Sequence, residues 1–140
     1  MSSLVLEPAA RSMLRRGIDP YEVPAAYKWA RRLSESPEFK DVDEMSLVRL
    51  APLAAEVRED TGRPLGEGLR VALSERRARR LLASEREDIV PQLARAVRVA
   101  RRRVGVADLV ATALFWGDRR RRQLAIQFFR PESAGDAAAS

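Results

Sequence analysis

Apolar residues along this chain recur at helical spacing, and no segment alternates apolar and polar residues with a sustained period of two. A half-buried strand needs that alternation, whereas an amphipathic helix needs a stripe at i, i+3, i+4 and i+7. Leu47, Leu50, Leu53, Ala54 and Val57 form such a stripe, and so do Ile89, Leu93, Ala96, Val97 and Ala100. Glycine, proline and capping residues divide the chain into short pieces. The spacing predicts a helix from about Glu7 to Arg16, ended by Gly17, and another from Pro24 to Leu33 with Ala25, Trp29 and Leu33 on one stripe. A third runs from Asp43, its cap, to Asp60, kinked at Pro52 and ended by Gly62. A short helix over Pro64 to Leu73 is weakened by Gly66 and Gly68. Ser74 caps Glu75 to Ala83, and Ser84 caps a helix reaching Arg103. Asp108 caps or begins Leu109 to Trp116, and Asp118 caps the last helix, which ends before Pro131. The expected fold is all-α, with seven to eight short helices in two small packed helical bundles.

Charge places the boundary between the bundles. Of 26 basic residues, 24 are arginine, and 17 of those lie between Arg63 and Arg130 against 7 acidic residues, a balance of +10. Residues 1–62 carry −2, and the last ten residues another −2. The expected organisation is therefore an N-terminal bundle over 1–62, a basic C-terminal bundle over 63–130 and a small, polar, disordered tail over 131–140. A coding bias that replaces lysine with arginine explains the residue type but not its confinement to one half. A field of this size attracts polyanions, and the planar guanidinium fork suits phosphate, so nucleic acid is the first partner to consider.

Several function classes fall away. The chain has no cysteine and no histidine, which removes disulfides, the usual zinc sites and the Ser–His and Cys–His nucleophile pairs. There is no phosphate-binding glycine loop, and the carboxylates are scattered. The expectation is a protein that is not an enzyme and needs no cofactor or metal. No run approaches the ~20 apolar residues that span a bilayer, and Met1 to Ala10 lacks a signal-peptide pattern, so the expected compartment is the cytoplasm.

Projection at 100° per residue sets the arginines against the apolar faces. In the 84–103 helix Arg95, Arg98 and Arg102 stand opposite the core at i, i+3 and i+7, which predicts a straight ridge about 10 Å long. In the last helix Arg119, Arg120, Gln123, Gln127 and Arg130 face outward, while Leu124, Ala125, Phe128 and Phe129 face inward. Arg121 projects close to the apolar arc, where it is expected to pair with a carboxylate or lay its stem along the core. Tyr27, Trp29, Phe115, Trp116, Phe128 and Phe129 sit on or near apolar faces, which favours core packing over base stacking. Phosphate contact without base readout is what remains.

Three stretches, in order, resemble the CasB family, the small subunit of the type I-E CRISPR surveillance complex Cascade. They are Met13-Leu14-Arg15-Arg16-Gly17 with Pro24 to Tyr27; Leu65-Gly66 and Leu69 with Ser74-Glu75-Arg76-Arg77 and Leu81-Leu82; and Phe115-Trp116-Gly117-Asp118-Arg119 with Gln123-Leu124 and Phe128. Helix order and length agree from about Leu65 to Phe129, and the N-terminal half matches loosely. The resemblance implies an all-α, non-catalytic subunit whose basic faces hold the target and displaced DNA strands and stabilise the R-loop, while guide pairing supplies sequence specificity. It implies as partners the backbone and large Cascade subunits, guide RNA, target DNA and a second copy of the chain. By position it marks Arg77, Arg95 and Arg119 as nucleic-acid contacts; Arg98, Arg102 and Arg120 are added from helix geometry alone. Ala83 departs from relatives that carry arginine there, leaving Arg79, Arg80 or Arg86 to take over that contact. Two other readings stay open: a stand-alone helical DNA-binding regulator with a helix-turn-helix in Ser84 to Trp116, and an adaptor whose basic surface meets an acidic protein.

Overall fold

Local signals set most helix boundaries in the computed structural model, which describes residues 4–129; Arg130 and the expected tail at 131–140 lie outside the described residues. Helix α1 (Pro8–Arg15) ends where Gly17 takes a φ of +92°. The Gly17 N–H then reaches Leu14 O at 3.1 Å and the Ile18 N–H reaches Met13 O at 3.1 Å, a Schellman closure of the free carbonyls. Helix α2 (Pro24–Ser34) starts on its proline and buries Ala26, Trp29, Ala30 and Leu33. The single helix expected over 43–60 is two, α3 (Glu44–Arg49) and α4 (Ala51–Ala54), broken at Leu50. Pro52 is the cause: it has no N–H to give to Val48 O, and its ring clashes with that carbonyl. Asp43 precedes α3 but makes no side-chain cap.

After α4 come a two-residue strand β1 (Glu59–Asp60), then α5 (Leu65–Arg70), α6 (Glu75–Leu82), α7 (Ile89–Val99), strand β2 (Arg103–Val104), α8 (Val106–Leu114) and α9 (Asp118–Phe129). Strands β1 and β2 pair in parallel, Glu59 with Arg103 and Asp60 with Val104. Extended pairing was not visible in a pattern only two residues long. The fold is mainly α, as expected.

The expected start of the 84–103 helix was wrong. Pro91 is tolerated only in the first turn, where its missing N–H has no helical partner, so α7 begins at Ile89. The helix also ends early, at Val99. Arg101 and Arg102 are left-handed, with φ of 58° and 60°, and their N–H groups close on Arg98 O at 3.2 Å and Val97 O at 2.9 Å. This is the same Schellman closure as at Gly17, built here on an arginine. The straight ridge expected through Arg102 therefore does not exist.

Helix α8 is central. It buries Val106, Leu109, Val110, Ala111, Thr112 and Ala113, nearly its whole circumference, and packs against α4 and α7. Its neighbours are capped from far away in sequence. Asp60 Oδ1 accepts from the Val106 N–H at 3.0 Å, holding the start of α8. Asp108, expected to cap or begin α8, lies in its first turn and instead accepts from the Leu65 N–H at the start of α5. One apolar cluster contains Leu14, Trp29, Leu47 and Val57 together with Leu69, Leu93, Leu109 and Trp116. Among the described residues no helix is long and apolar enough to cross a membrane.

The glycines in α5 permit contact and do more than weaken the helix. A Cβ at Gly66 would fall on the Cβ of Gln127, and the Gly66 N–H donates to Gln127 Oε1 at 2.8 Å. Gln127, expected to face outward, thus faces α5. Gly66→Ala adds helix propensity but overpacks the α5–α9 contact, so a net loss of about 1–2 kcal/mol is expected in urea unfolding. A more stable variant would mean that α9 is not seated on α5.

Candidate nucleic-acid interface

Helices α6 and α7 present arginines because their apolar positions are already committed to the core. In α6 Ala78 and Leu81 are buried, which turns Arg76, Arg77, Arg79 and Arg80 outward. Ser74 starts this helix as expected, its Oγ accepting from the Arg77 N–H at 3.2 Å. In α7 Ile89, Leu93, Ala96 and Val97 are buried, and Arg95 and Arg98 are exposed.

Between the two helices runs a groove of about 280 Å³, lined by Leu73, Arg77, Arg80, Leu81, Gln92, Arg95, Ala96 and Val99. Its floor is aliphatic and its rim carries three exposed guanidinium groups. Among the described residues Arg77, Arg80 and Arg95 make no ion pair, whereas Arg79 is held by Glu75 at 3.2 Å. Three unpaired cations around a shallow groove repel one another until an anion enters. Sequence reasoning marked Arg77 and Arg95, which the fold brings together across 18 residues. Arg80 completes the set and shares a face with Arg77 at i, i+3, a spacing that could have identified it. Of the residues offered to replace an arginine at Ala83, Arg79 is ion-paired and Arg86 donates to Trp116 O at 3.0 Å, so Arg80 alone lines the groove.

Arg98 and Arg102 have other work. Arg98 clasps Glu56 with two bonds, Nε to Oε1 at 3.1 Å and Nη2 to Oε2 at 2.9 Å. Arg102 donates to the same Oε1 and to the Glu56 carbonyl at 3.3 Å. The Glu56 side chain is only 9% exposed and that of Arg102 21%. Burial pushes the Glu56 carboxyl up, but hydrogen bonds from Arg98 and Arg102 outweigh it and hold the carboxyl below its ordinary value. Arg98 remains half exposed; Arg102 faces inward, against expectation, because the left-handed corner turns it back toward α4.

In α9, Arg119 and Arg122 are exposed and make no ion pair among the described residues. Arg119 is not part of the groove lining. Arg120, expected to face outward, pairs with Asp108 at 3.1 Å and is 20% exposed. That pair influences Glu38, whose carboxyl is pushed up by desolvation first, against the pull of Arg120 and with Asp108 adding to the rise. Arg121 behaves as its projection suggested: it pairs with Asp118 at 3.0 Å, donates to Ser84 O at 3.1 Å and lies over the Trp116 ring at 5.4 Å.

Ser84, expected to cap a helix, instead offers its carbonyl to the Trp116 indole N–H at 2.9 Å, so Trp116 and Arg121 lock the α6–α7 connection to the start of α9. Trp29, Trp116 and Phe128 are buried as expected; Phe115 is 42% exposed and stacks on Phe39 at 6.4 Å, and Phe129 is 44% exposed. Among the described residues no three His, Cys, Asp or Glu side chains gather where they could hold a metal ion.

Fold and surface together define a class: a small, mainly helical protein with unpaired arginines around a groove between two of its helices. The chain belongs to the CRISPR-associated protein Cse2 family, also called CasB, whose model matches residues 10–129. A chain from the crystal structure of E. coli Cascade bound to a PAM-containing dsDNA target is similar in fold, with a TM-score of 0.58 over 89% of this chain and 87% of that one. At 23% identity that likeness carries the fold alone. No curated protein matches the chain.

Proposed function

We propose that this chain is a non-catalytic small subunit of a type I-E Cascade complex and binds nucleic acid through the α6–α7 groove. The observation that carries the reading is the convergence of Arg77, Arg80 and Arg95, exposed and without carboxylate partners, on one groove. Guanidinium forks bind phosphodiesters without regard to base, which suits a subunit whose sequence specificity comes from guide pairing elsewhere. In this reading residues 1–62 and 63–130 act as two lobes, and the groove belongs to the second. Its partners are the backbone and large subunits, guide RNA, the target and displaced DNA strands and a second copy of the chain. Arg119 and Arg122 on α9 offer a further phosphate contact, and the bound strand stabilises the R-loop.

A stand-alone regulator would have to aim Arg95, Arg98 and Arg102 together at a major groove, and Arg102 is turned into Glu56. That reading therefore loses its third contact.

The test is Arg77→Ala/Arg80→Ala/Arg95→Ala in the full chain. The salt slope of single-stranded DNA binding should fall by roughly 2 units, equivalent to roughly 100-fold in affinity at ~0.1 M salt relative to 1 M. The melting temperature should stay unchanged, because all three side chains are exposed. The same variant in the assembled complex should shorten the R-loop lifetime. Wild-type binding and lifetime would sink the proposal.

A further inference from the structure

A second cluster of arginines lies where the charge sum of the N-terminal half hid it. Residues 1–62 carry a net −2, but four of their acids, Glu35, Glu38, Asp41 and Asp43, lie on the α2–α3 connection and a fifth, Glu44, begins α3. Elsewhere a cleft of about 650 Å³ opens between α1, the segment after α4 and α7, and its cationic lining is Arg11, Arg15, Arg16, Arg58 and Arg98. The one carboxylate there is Glu56, already occupied by Arg98 and Arg102. Among the described residues Arg11, Arg15, Arg16 and Arg58 make no ion pair. The Arg11 Nε is buried and has no hydrogen-bond partner. A lining of this charge attracts an anion.

The two arginine sites adjoin. Arg95 lines the α6–α7 groove and Arg98 lines the α1–α7 cleft. As i and i+3 on one helix, their Cβ atoms stand about 5–6 Å apart, so one strand can meet both. Glu56 fixes Arg98 at this junction with two hydrogen bonds while leaving half of its side chain in solvent.

Resting on the reading above, we infer that the groove is one end of a longer track, and that a single-stranded phosphodiester backbone crosses α7 at Arg95 and Arg98 and continues into the N-terminal cleft over Arg15, Arg16 and Arg58. Continuity with the first groove favours a nucleic-acid strand over an acidic protein segment.

The experiment measures binding of fluorescent oligothymidylate of about 10 and about 20 nucleotides, lengths within and beyond a small domain's usual site. Two variants are compared: Arg15→Ala/Arg16→Ala/Arg58→Ala, whose side chains are all exposed, and the Arg77, Arg80 and Arg95 triple. The N-terminal variant should bind the long strand roughly 100-fold more weakly at ~0.1 M salt, with a slope lower by roughly 2, and bind the short strand as wild type does. The groove variant should lose both. Oligouridylate of the same lengths shows whether the track prefers RNA or DNA, and a length effect with either supports it. If the N-terminal variant binds the long strand normally while the groove variant fails, the track is wrong and the groove stands. If neither variant is affected, both readings fall. If polyglutamate binds wild type but not the N-terminal variant, while the long strand binds both alike, the cleft is a protein site and the inference is overturned.

Discussion

Trp116→Ala lowers the free energy of unfolding by about 3–5 kcal/mol, the largest single-residue effect expected in this protein. Trp116 is 2% exposed and is the largest fully buried side chain. Its removal takes away the indole surface under Arg121 and the donor to Ser84 O, and it loosens the connection that sets α6 beside α7. The Ser84 carbonyl keeps its bond from Arg121, so the loss is mainly one of packing. Trp116→Phe retains most of the apolar area and costs about 1–2 kcal/mol, near the worth of a buried hydrogen bond plus a small void. Urea unfolding followed by circular dichroism measures both. A loss below ~1.5 kcal/mol for the alanine variant would show that the α6–α7 and α8–α9 connections are held by other contacts.

Glu56→Ala comes next, with an expected loss of about 3 kcal/mol at neutral pH, at the lower end for a broken buried pair because half-exposed Arg98 can turn to water. Arg102 cannot turn so readily, since its backbone is fixed by the left-handed corner. The pH dependence has a definite sign. The Glu56 carboxyl sits below its ordinary value of 4.5 in the folded protein, so its contribution is complete above that pH and is lost as the pH falls through the lower folded value. Glu38 works in the opposite direction. Its raised carboxyl opposes folding while charged, and acidification relieves it. Stability measured from about pH 6 to about pH 3 should therefore fall less steeply in Glu56→Gln than in wild type. Equal slopes would mean that the Glu56 pair does not control the acid limb.

How far the sequence could be read depended on how local each cause was. Gly17 after two arginines, Pro24 at a first turn and Ser74 before Glu75 act within a few residues, and each element formed where it was expected. Pro91 was an equally local signal, and it explains why no helix starts at Ser84. The end of α7 was harder, because a Schellman closure on Arg101 lacks the glycine that usually announces it. Gln127 and Arg120 were misplaced because each has a partner, Gly66 or Asp108, that helical projection cannot see.

The site divides in the same way. Projection separated the arginine-bearing faces of α6 and α7 from the core, because helical period and burial are properties of each segment alone. Which arginines remain free for a ligand depends on which carboxylates reach them. Glu56 lies 42 residues before Arg98 and 46 before Arg102, and its pairing is set by how α4 packs on α7. Helical class, most boundaries and the polyanion-seeking character of the chain were legible from residue order alone, since periodicity, capping and charge are local or summed quantities. Packing in three dimensions sorted the described arginines into those neutralised by a fold partner and those left facing solvent, because a charge is free or paired according to distance in space, which chain position does not supply.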